Sequence, residues 1–218
     1  MEKYVGLYGV KKGFPLGRSI NMVLRGINLT IRYGDKVGIL GRNGSGKSTL
    51  IKIIGGVLYP DEGTVIRKMK VSWPIAFTGG FQGSLTGFDN LKFICRVYGV
   101  PWEDKIDFVK DFAELGRYFY EPIKTYSSGM RARLAFALSI AIDFDCYLID
   151  EIVVVGDSRF HDKCRIELFE GKKEKSFVIV SHQPSYIKEF CNRFFVLFKG
   201  KLLEFDSFDS AWKFYSTQ

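Results

Sequence analysis

The 218-residue chain predicts an α/β fold, with a parallel core sheet, an antiparallel β portion ahead of it and a helical portion inserted within it. Three observations predict this. Gly41 to Thr49 reads Gly-Arg-Asn-Gly-Ser-Gly-Lys-Ser-Thr, between the apolar run Lys36-Val-Gly-Ile-Leu40 and the apolar stretch Leu50-Ile-Lys-Ile-Ile54; this is the strand, glycine-rich turn and helix order of a phosphate-gripping loop. Phe144-Asp-Cys-Tyr-Leu-Ile149 and Phe177-Val-Ile-Val180 are short continuous apolar runs, as expected of parallel strands covered on both faces. From Asp89 to about Ile142 the hydrophobic period becomes that of helices.

The elements follow in order. Strand-like runs at Tyr4 to Val10, Met22 to Ile31, Val37 to Leu40 and Gly63 to Ile66 are separated by turn residues such as Tyr33-Gly-Asp35 and Pro60-Asp-Glu-Gly63, so the first third reads as partly antiparallel. In the phosphate loop, glycines at 41, 44 and 46 let successive backbone N–H groups turn inward on the α- and β-phosphates, and the following helix adds its positive end. Lys47 then reaches the β- and γ-phosphates and the Ser48 hydroxyl can ligate Mg²⁺. In the helical portion Leu91, Phe93, Ile94, Val97 and Tyr98 form one stripe and Ile106, Phe108, Val109, Phe112 and Leu115 another. Tyr126-Ser-Ser-Gly-Met130 enters an apolar helix through Ile140, and locally Ser127 reads as an ordinary N-cap.

Composition narrows the class. Hydrophobic residues at 46% and charged residues at 26% describe an ordinary globular chain. No run of some eighteen apolar residues and no basic head with an apolar h-region is present, so neither a membrane span nor a secretion signal is expected. Cysteines at 95, 146, 164 and 191 are scattered without a Cys-x-x-Cys pair and read as reduced thiols of a cytosolic protein. The net charge of +8 would suit nucleic acid or an anionic membrane surface, but the basic residues run along the whole chain and read as a solvated surface.

Two further places carry candidate chemistry. The apolar strand Cys146-Tyr-Leu-Ile149 ends in Asp150-Glu151. A strand that delivers a carboxylate to the sheet edge is how phosphate-loop proteins hold Mg²⁺, which makes Asp150 the metal-side acid. Adjacent side chains on an extended backbone point opposite ways, leaving Glu151 placed to polarise an attacking water. The second strand, ending at Val180, runs into Ser181-His182, one of two histidines; a strand-end histidine standing alone is more often structural, and His161 keeps that reading.

Phosphate loop, Ser-x-Gly helix start, strand with Asp-Glu and strand with His, in this order, resemble the ATP-binding subunit of ABC transporters across essentially the whole chain. The resemblance implies a single ABC ATPase domain over residues 1–218, with a helical subdomain inserted at about 85–142, and ATP and Mg²⁺ as cofactors. It implies that Ser127 and Gly129 contact the γ-phosphate of ATP held by a second copy, that Glu151 is the catalytic carboxylate and that His182 is the switch histidine. Asp157 falls at the family's D-loop aspartate, Phe14 where an aromatic stacks on adenine, and Gln82 where a glutamine senses γ-phosphate and Mg²⁺. Arg42, Asn43 and Ser45 belong to the nucleotide-binding set with Gly41, Gly44, Gly46, Lys47, Ser48 and Thr49.

Departures narrow the resemblance. Tyr-Ser-Ser-Gly-Met stands for the usual Leu-Ser-Gly-Gly-Gln, Ile-Val-Val-Val-Gly follows Glu151, and Gln82 lies closer to Asp89-Asn90 than the family spacing. The stretch Ser72 to Asn90, with Asp150-Glu-x-x-x-Val-Gly-Asp-Ser-Arg-Phe160, closely resembles the ATPase subunit of Gram-negative capsular polysaccharide exporters. That likeness implies an ATP-sandwich homodimer on the cytoplasmic face of the inner membrane. It also implies two copies of an integral membrane permease and envelope polysaccharide-export proteins as partners, and no nucleic acid. Trp73, Phe77, Phe81 and Phe88 are then expected as exposed aromatics of the surface facing the membrane partner. The competing reading is a soluble non-transport member of the superfamily acting on nucleic acid or ribosomes; such proteins usually carry two ATPase halves or a long coiled-coil insert, and neither is visible here.

Overall fold

The computed structural model describes residues 2–75, 81–150, 158–181 and 184–218. In chain order the strands are β1 (Tyr4–Leu16), β2 (Ser19–Arg32), β3 (Lys36–Leu40), β4 (Glu62–Arg67), β5 (Val71–Pro74), β6 (Cys146–Asp150), β7 (Ser176–Val180), β8 (Arg193–Phe198) and β9 (Lys201–Phe205). The α-helices are α1 (Lys47–Ile54), α2 (Gly87–Tyr98), α3 (Ile106–Ala113), α4 (Ser128–Ala141), α5 (Ser158–Arg165), α6 (Pro184–Phe190) and α7 (Phe208–Ser216). They divide between two compact units. Unit 1 comprises Met1–Pro74, Phe144–Ile152 and Glu174–Gln218, and unit 2 comprises Ile75–Asp143 and Val153–Lys173.

Unit 1 carries two sheets. One is antiparallel, in the order β2-β1-β4; the other runs β5-β6-β7-β3-β8-β9, parallel from β5 through β8 and closed by antiparallel β9. Of the two continuous apolar runs of the sequence, β7 thus lies beside the strand that feeds the phosphate loop and β6 lies next to β7. Residues from both sheets and from α1 share one core, including Val5, Leu7, Ile27 and Ile31 from the antiparallel sheet, Leu50 and Ile54 from α1, and Val37, Leu148 and Val178 from the parallel one. Each such side chain contributes roughly 1.5–3 kcal/mol by leaving water. Arg67 secures the far end of α1 by donating Nε to the Ile54 carbonyl at 2.8 Å and Nη2 to that of Ile53. Gly38 lets α6 lie close on β3, since a Cβ there would stand 2.5 Å from Ile187 Cγ2 and 2.9 Å from Cys191 Sγ.

Unit 2 is helical. Thr86 and Asp89 form a capping box at the start of α2, and Phe112 of α3 packs on Phe136 of α4 (5.8 Å) and Phe160 of α5 (5.5 Å). The α2 stripe differs from its sequence reading. Leu91 and Cys95 are buried and Ile94 half-buried, whereas Phe93 and Val97 are 56% and 62% exposed; positions 91, 94, 95 and 98 share one face at the helical period and 93 and 97 lie outside it.

The exposed-aromatic expectation is also corrected. Trp73 is half-buried and packs edge-on to Phe144 at 5.4 Å. Phe88 is half-buried among Trp102, Phe119 and Tyr120, because the turns before and after α3 fold those rings over the start of α2. Phe81 is half-buried, and Phe77 lies outside the described residues. Among the described residues no helix is long and apolar enough to cross a membrane. The four cysteines are free; burial pushes the Cys164 and Cys191 thiols up to about 12 and Cys146 higher still, which keeps them protonated and unreactive.

Candidate functional site

The site begins where β3 stops. Residues 41–46 turn the chain into α1, with Gly44 at φ 79 and Gly46, the N-cap, at φ 104. No side chain caps α1 and no acidic residue stands in its first turn, in contrast to the boxed start of α2. The first N–H groups of α1 therefore face outward with the positive end of the helix behind them, which favours an anion. The left-handed glycine is required twice over: a Cβ on Gly46 would also meet Val23 Cγ1 at 2.6 Å. Gly46→Ala is expected to weaken nucleotide binding about tenfold or more, the left-handed cost alone being roughly 1–2 kcal/mol. Titration calorimetry with a non-hydrolysable ATP analogue checks it, and wild-type affinity would show that the turn tolerates the side chain.

Lys47 is only 7% exposed. Its Nζ donates to the carbonyls of Gly41 (2.6 Å) and Arg42 (3.1 Å), so the ammonium is held inside the turn. Beside it, Ser48 Oγ donates to Asp150 Oδ1 at 3.2 Å. Sheet register explains the meeting. Ile39 of β3 pairs with Val180 of β7, and Val180 pairs with Asp150 of β6, so the ends of the three strands lie level and the carboxylate arrives at the mouth of the loop. A hydroxyl and a carboxylate oxygen side by side are hard donors that fit a small divalent cation.

Phe14, Val23, Asn43, Gly44, Gly46, Lys47, Ser48 and Thr49 line a cleft of about 440 Å³, within the usual range for ligand sites. The ring of Phe14, 39% exposed, offers an apolar face within the same cleft as the phosphate turn. An adjoining cleft of about 520 Å³ shares Val23 and Gly44 and adds Arg25, Lys199 and Lys201. Among the described residues neither lining contains a carboxylate, Asp150 standing beside Ser48 at the edge of the first cleft, and Arg25, Lys199 and Lys201 make the field over the second favour polyanions. The Arg42 guanidinium turns away to the main-chain oxygen of Gln218 at 2.9 Å, and Arg42 serves the loop through its own carbonyl. Gly41 is buried, and a Cβ there would strike Ser45 Oγ at 2.6 Å.

The remaining candidates in the described structure sit in unit 2. Ser127 caps α4, its Oγ accepting from Met130 N at 3.2 Å, so the ordinary N-cap reading holds locally. Gly129 is half-buried, and among the described residues a Cβ there would touch nothing closer than Ser127 Oγ at 3.9 Å. Packing among the described residues therefore does not require this helical glycine, which carries the usual helix cost. Sequence reasoning passed over Tyr126. It is buried, its hydroxyl donates to the Tyr118 carbonyl at 2.5 Å, and its own carbonyl accepts from Arg131 Nη1 at 3.0 Å. It anchors the turn that presents Ser127, and its substitution for the family's leucine was the available signal. Gln82 is exposed in the turn before α2, its carbonyl accepting from Leu85 N. Glu151, Asp157 and His182 lie outside the described residues.

Known proteins share this arrangement. The sequence profile of the ABC transporter family matches residues 24–154. The chain is 53% identical over 208 residues to the capsule polysaccharide export ATP-binding protein CtrD of Neisseria meningitidis serogroup B, covering 95% of this chain and 96% of that one. It is 56% identical over 194 residues to the ATP-binding protein BexA of Haemophilus influenzae, covering 89% of each. Among solved structures, the dimeric post-hydrolysis ATP-binding cassette MJ0796 bound to ADP and phosphate superimposes with a TM-score of 0.77 at 25% identity, covering 92% of this chain and 97% of that one. The chain belongs to the ABC transporter family, among the ATP-binding proteins of capsule polysaccharide export.

Proposed function

We infer that this protein is the ATP-hydrolysing subunit of a transporter that exports capsular polysaccharide across the inner membrane. The observation that carries the reading is the meeting of Ser48 and Asp150 at 3.2 Å beside the uncapped start of α1, in a chain that matches capsule export ATP-binding proteins over nearly its whole length. The phosphates of ATP lie along the main chain of Gly41 to Thr49, with Lys47 turning from the loop carbonyls to the β- and γ-phosphates and Phe14 stacking on the base. Ser48 and Asp150 would hold Mg²⁺, with Gln82 as the sensor of it and of the γ-phosphate; when bound, the ion would supply charge neutralisation for phosphoryl transfer. Glu151 is the general base, His182 supports the attacking water and γ-phosphate, and Asp157 lines the contact between copies.

Two copies close on two ATP molecules. Gly129, a helix glycine that packing among the described residues does not call for, suits close approach of the partner's γ-phosphate, with Ser127 beside it. The domain is single, its helical subdomain inserted at about 85–142. Closure and release are passed to two copies of a membrane-embedded permease, which holds this subunit at the cytoplasmic face, with envelope polysaccharide-export proteins beyond it. The relatives described above give the nucleic-acid reading no support. Detergent extraction of native membranes with the tagged chain, followed by mass spectrometry, should recover an integral membrane protein of about six helices and cell-envelope glycan proteins. Recovery of ribosomal or DNA-bound partners with an empty membrane fraction would overturn the reading.

A further inference from the structure

Glu114 closes α3 in a left-handed conformation, φ 53 and ψ 39. Glycine or asparagine is favoured there, because a Cβ crowds the neighbouring carbonyl. The backbone thus opposes a glutamate, and the reason for one lies in what the side chain touches. Oε2 accepts from Arg133 Nη1, in the second turn of α4, at 2.9 Å. Oε1 accepts from Lys163 Nζ at 3.4 Å and faces Arg159 Nη2 at 3.5 Å, both on α5. Lys163 also donates to the Phe112 carbonyl at 3.0 Å and the Asp111 carbonyl at 3.3 Å, at the end of α3. The same cations sit over rings, Arg133 at 4.7 Å from the Phe160 centroid and Lys163 at 4.7 Å from that of Phe112.

One carboxylate therefore ties together the helix that begins at Ser127 and the helix that follows Asp157 in sequence. The Glu114 side chain keeps 31% of its surface and that of Arg159 86%, so the pairs are screened and add little to stability. What they fix is placement. We propose that Glu114 is a positioning residue for ATP hydrolysis, holding α4 and α5 in register through Arg133 on one oxygen and Lys163 and Arg159 on the other, so that Ser127 and Gly129 meet the partner's ATP correctly. This rests on the reading of Ser127 and Gly129 given above.

The test uses the full chain with Glu114→Gly, which relieves the left-handed strain and keeps the fold, and Glu114→Gln, which keeps the shape and removes the charge. Both should bind a non-hydrolysable ATP analogue with affinity within about twofold of the wild type, with Tm unchanged or raised for the glycine variant. In both, kcat should fall roughly 10- to 100-fold, the scale of a small misplacement of reacting groups, and Glu114→Asp should restore part of it. Wild-type kcat in Glu114→Gly overturns the proposal, as does a fall in kcat that merely follows loss of folded protein. Ser127→Arg, measured alongside, separates the two levels. If it abolishes hydrolysis while the Glu114 variants do not alter it, only the positioning role fails; if it has no effect, the composite site fails and the positioning role with it.

Discussion

Lys47→Ala is expected to abolish productive ATP binding. The Lys47 side chain is buried in the turn and its ammonium already satisfies the carbonyls of Gly41 and Arg42, so the residue has a structural task before any nucleotide arrives. Removing it leaves both carbonyls short of a donor and takes from the phosphates a buried cation of the loop lining. Hydrogen bonds to charged groups contribute roughly 1.5–3 kcal/mol each. Two such contacts correspond to a loss of affinity of roughly 10²- to 10⁴-fold. Titration calorimetry with Mg²⁺ and a non-hydrolysable analogue measures it. A thermal melt beside it separates the two tasks, because the hydrophobic core shared by both sheets of unit 1 does not depend on Lys47 and Tm should change far less than affinity. Intact affinity would sink the assignment of the loop.

The parts of this fold that sequence made legible are those with local physical causes. The phosphate turn needs left-handed glycines and close main-chain approach, and Gly44 and Gly46 declare this by residue type alone. Strands β6 and β7 declare burial on both faces through unbroken apolar runs. What stayed illegible depends on partners far along the chain. β1 and β2 run on to Leu16 and back from Ser19, through Gly13-Phe-Pro-Leu-Gly17, which reads as a turn; pairing across the hairpin overrides that composition. The β8–β9 hairpin turns on Lys199 at φ 48 and Gly200 at φ 79, a lysine-glycine pair that gives little warning of a two-residue turn. In the site, the Ser48–Asp150 contact follows from motif order combined with sheet register, whereas Tyr126 and Glu114 act through tertiary contacts with no local pattern. Exposed Phe93 and Val97 show the limit of stripe counting, since a helix that is apolar on more than one face does not reveal which face the core takes.

Glu151→Gln is expected to leave ATP binding intact, slow hydrolysis by roughly 10²-fold or more, the range of a lost general base, and trap an ATP-bound dimer. Asp150 closes β6 with its carboxylate on the Ser48 hydroxyl. In the proposed assignment the two acids divide the work, Asp150 on the metal side and Glu151 toward the attacking water. Glutamine keeps the size and hydrogen-bonding reach of glutamate but has no basicity near neutral pH. In the proposed composite site the γ-phosphate is held from both sides, so blocking its cleavage should hold the two copies together, and size-exclusion chromatography with Mg²⁺-ATP should show a dimer where the wild type cycles apart. Single-turnover hydrolysis supplies the rate. Wild-type turnover would remove Glu151 as the base, and slow turnover without dimer accumulation would mean that hydrolysis, though dependent on Glu151, is not what releases the pair.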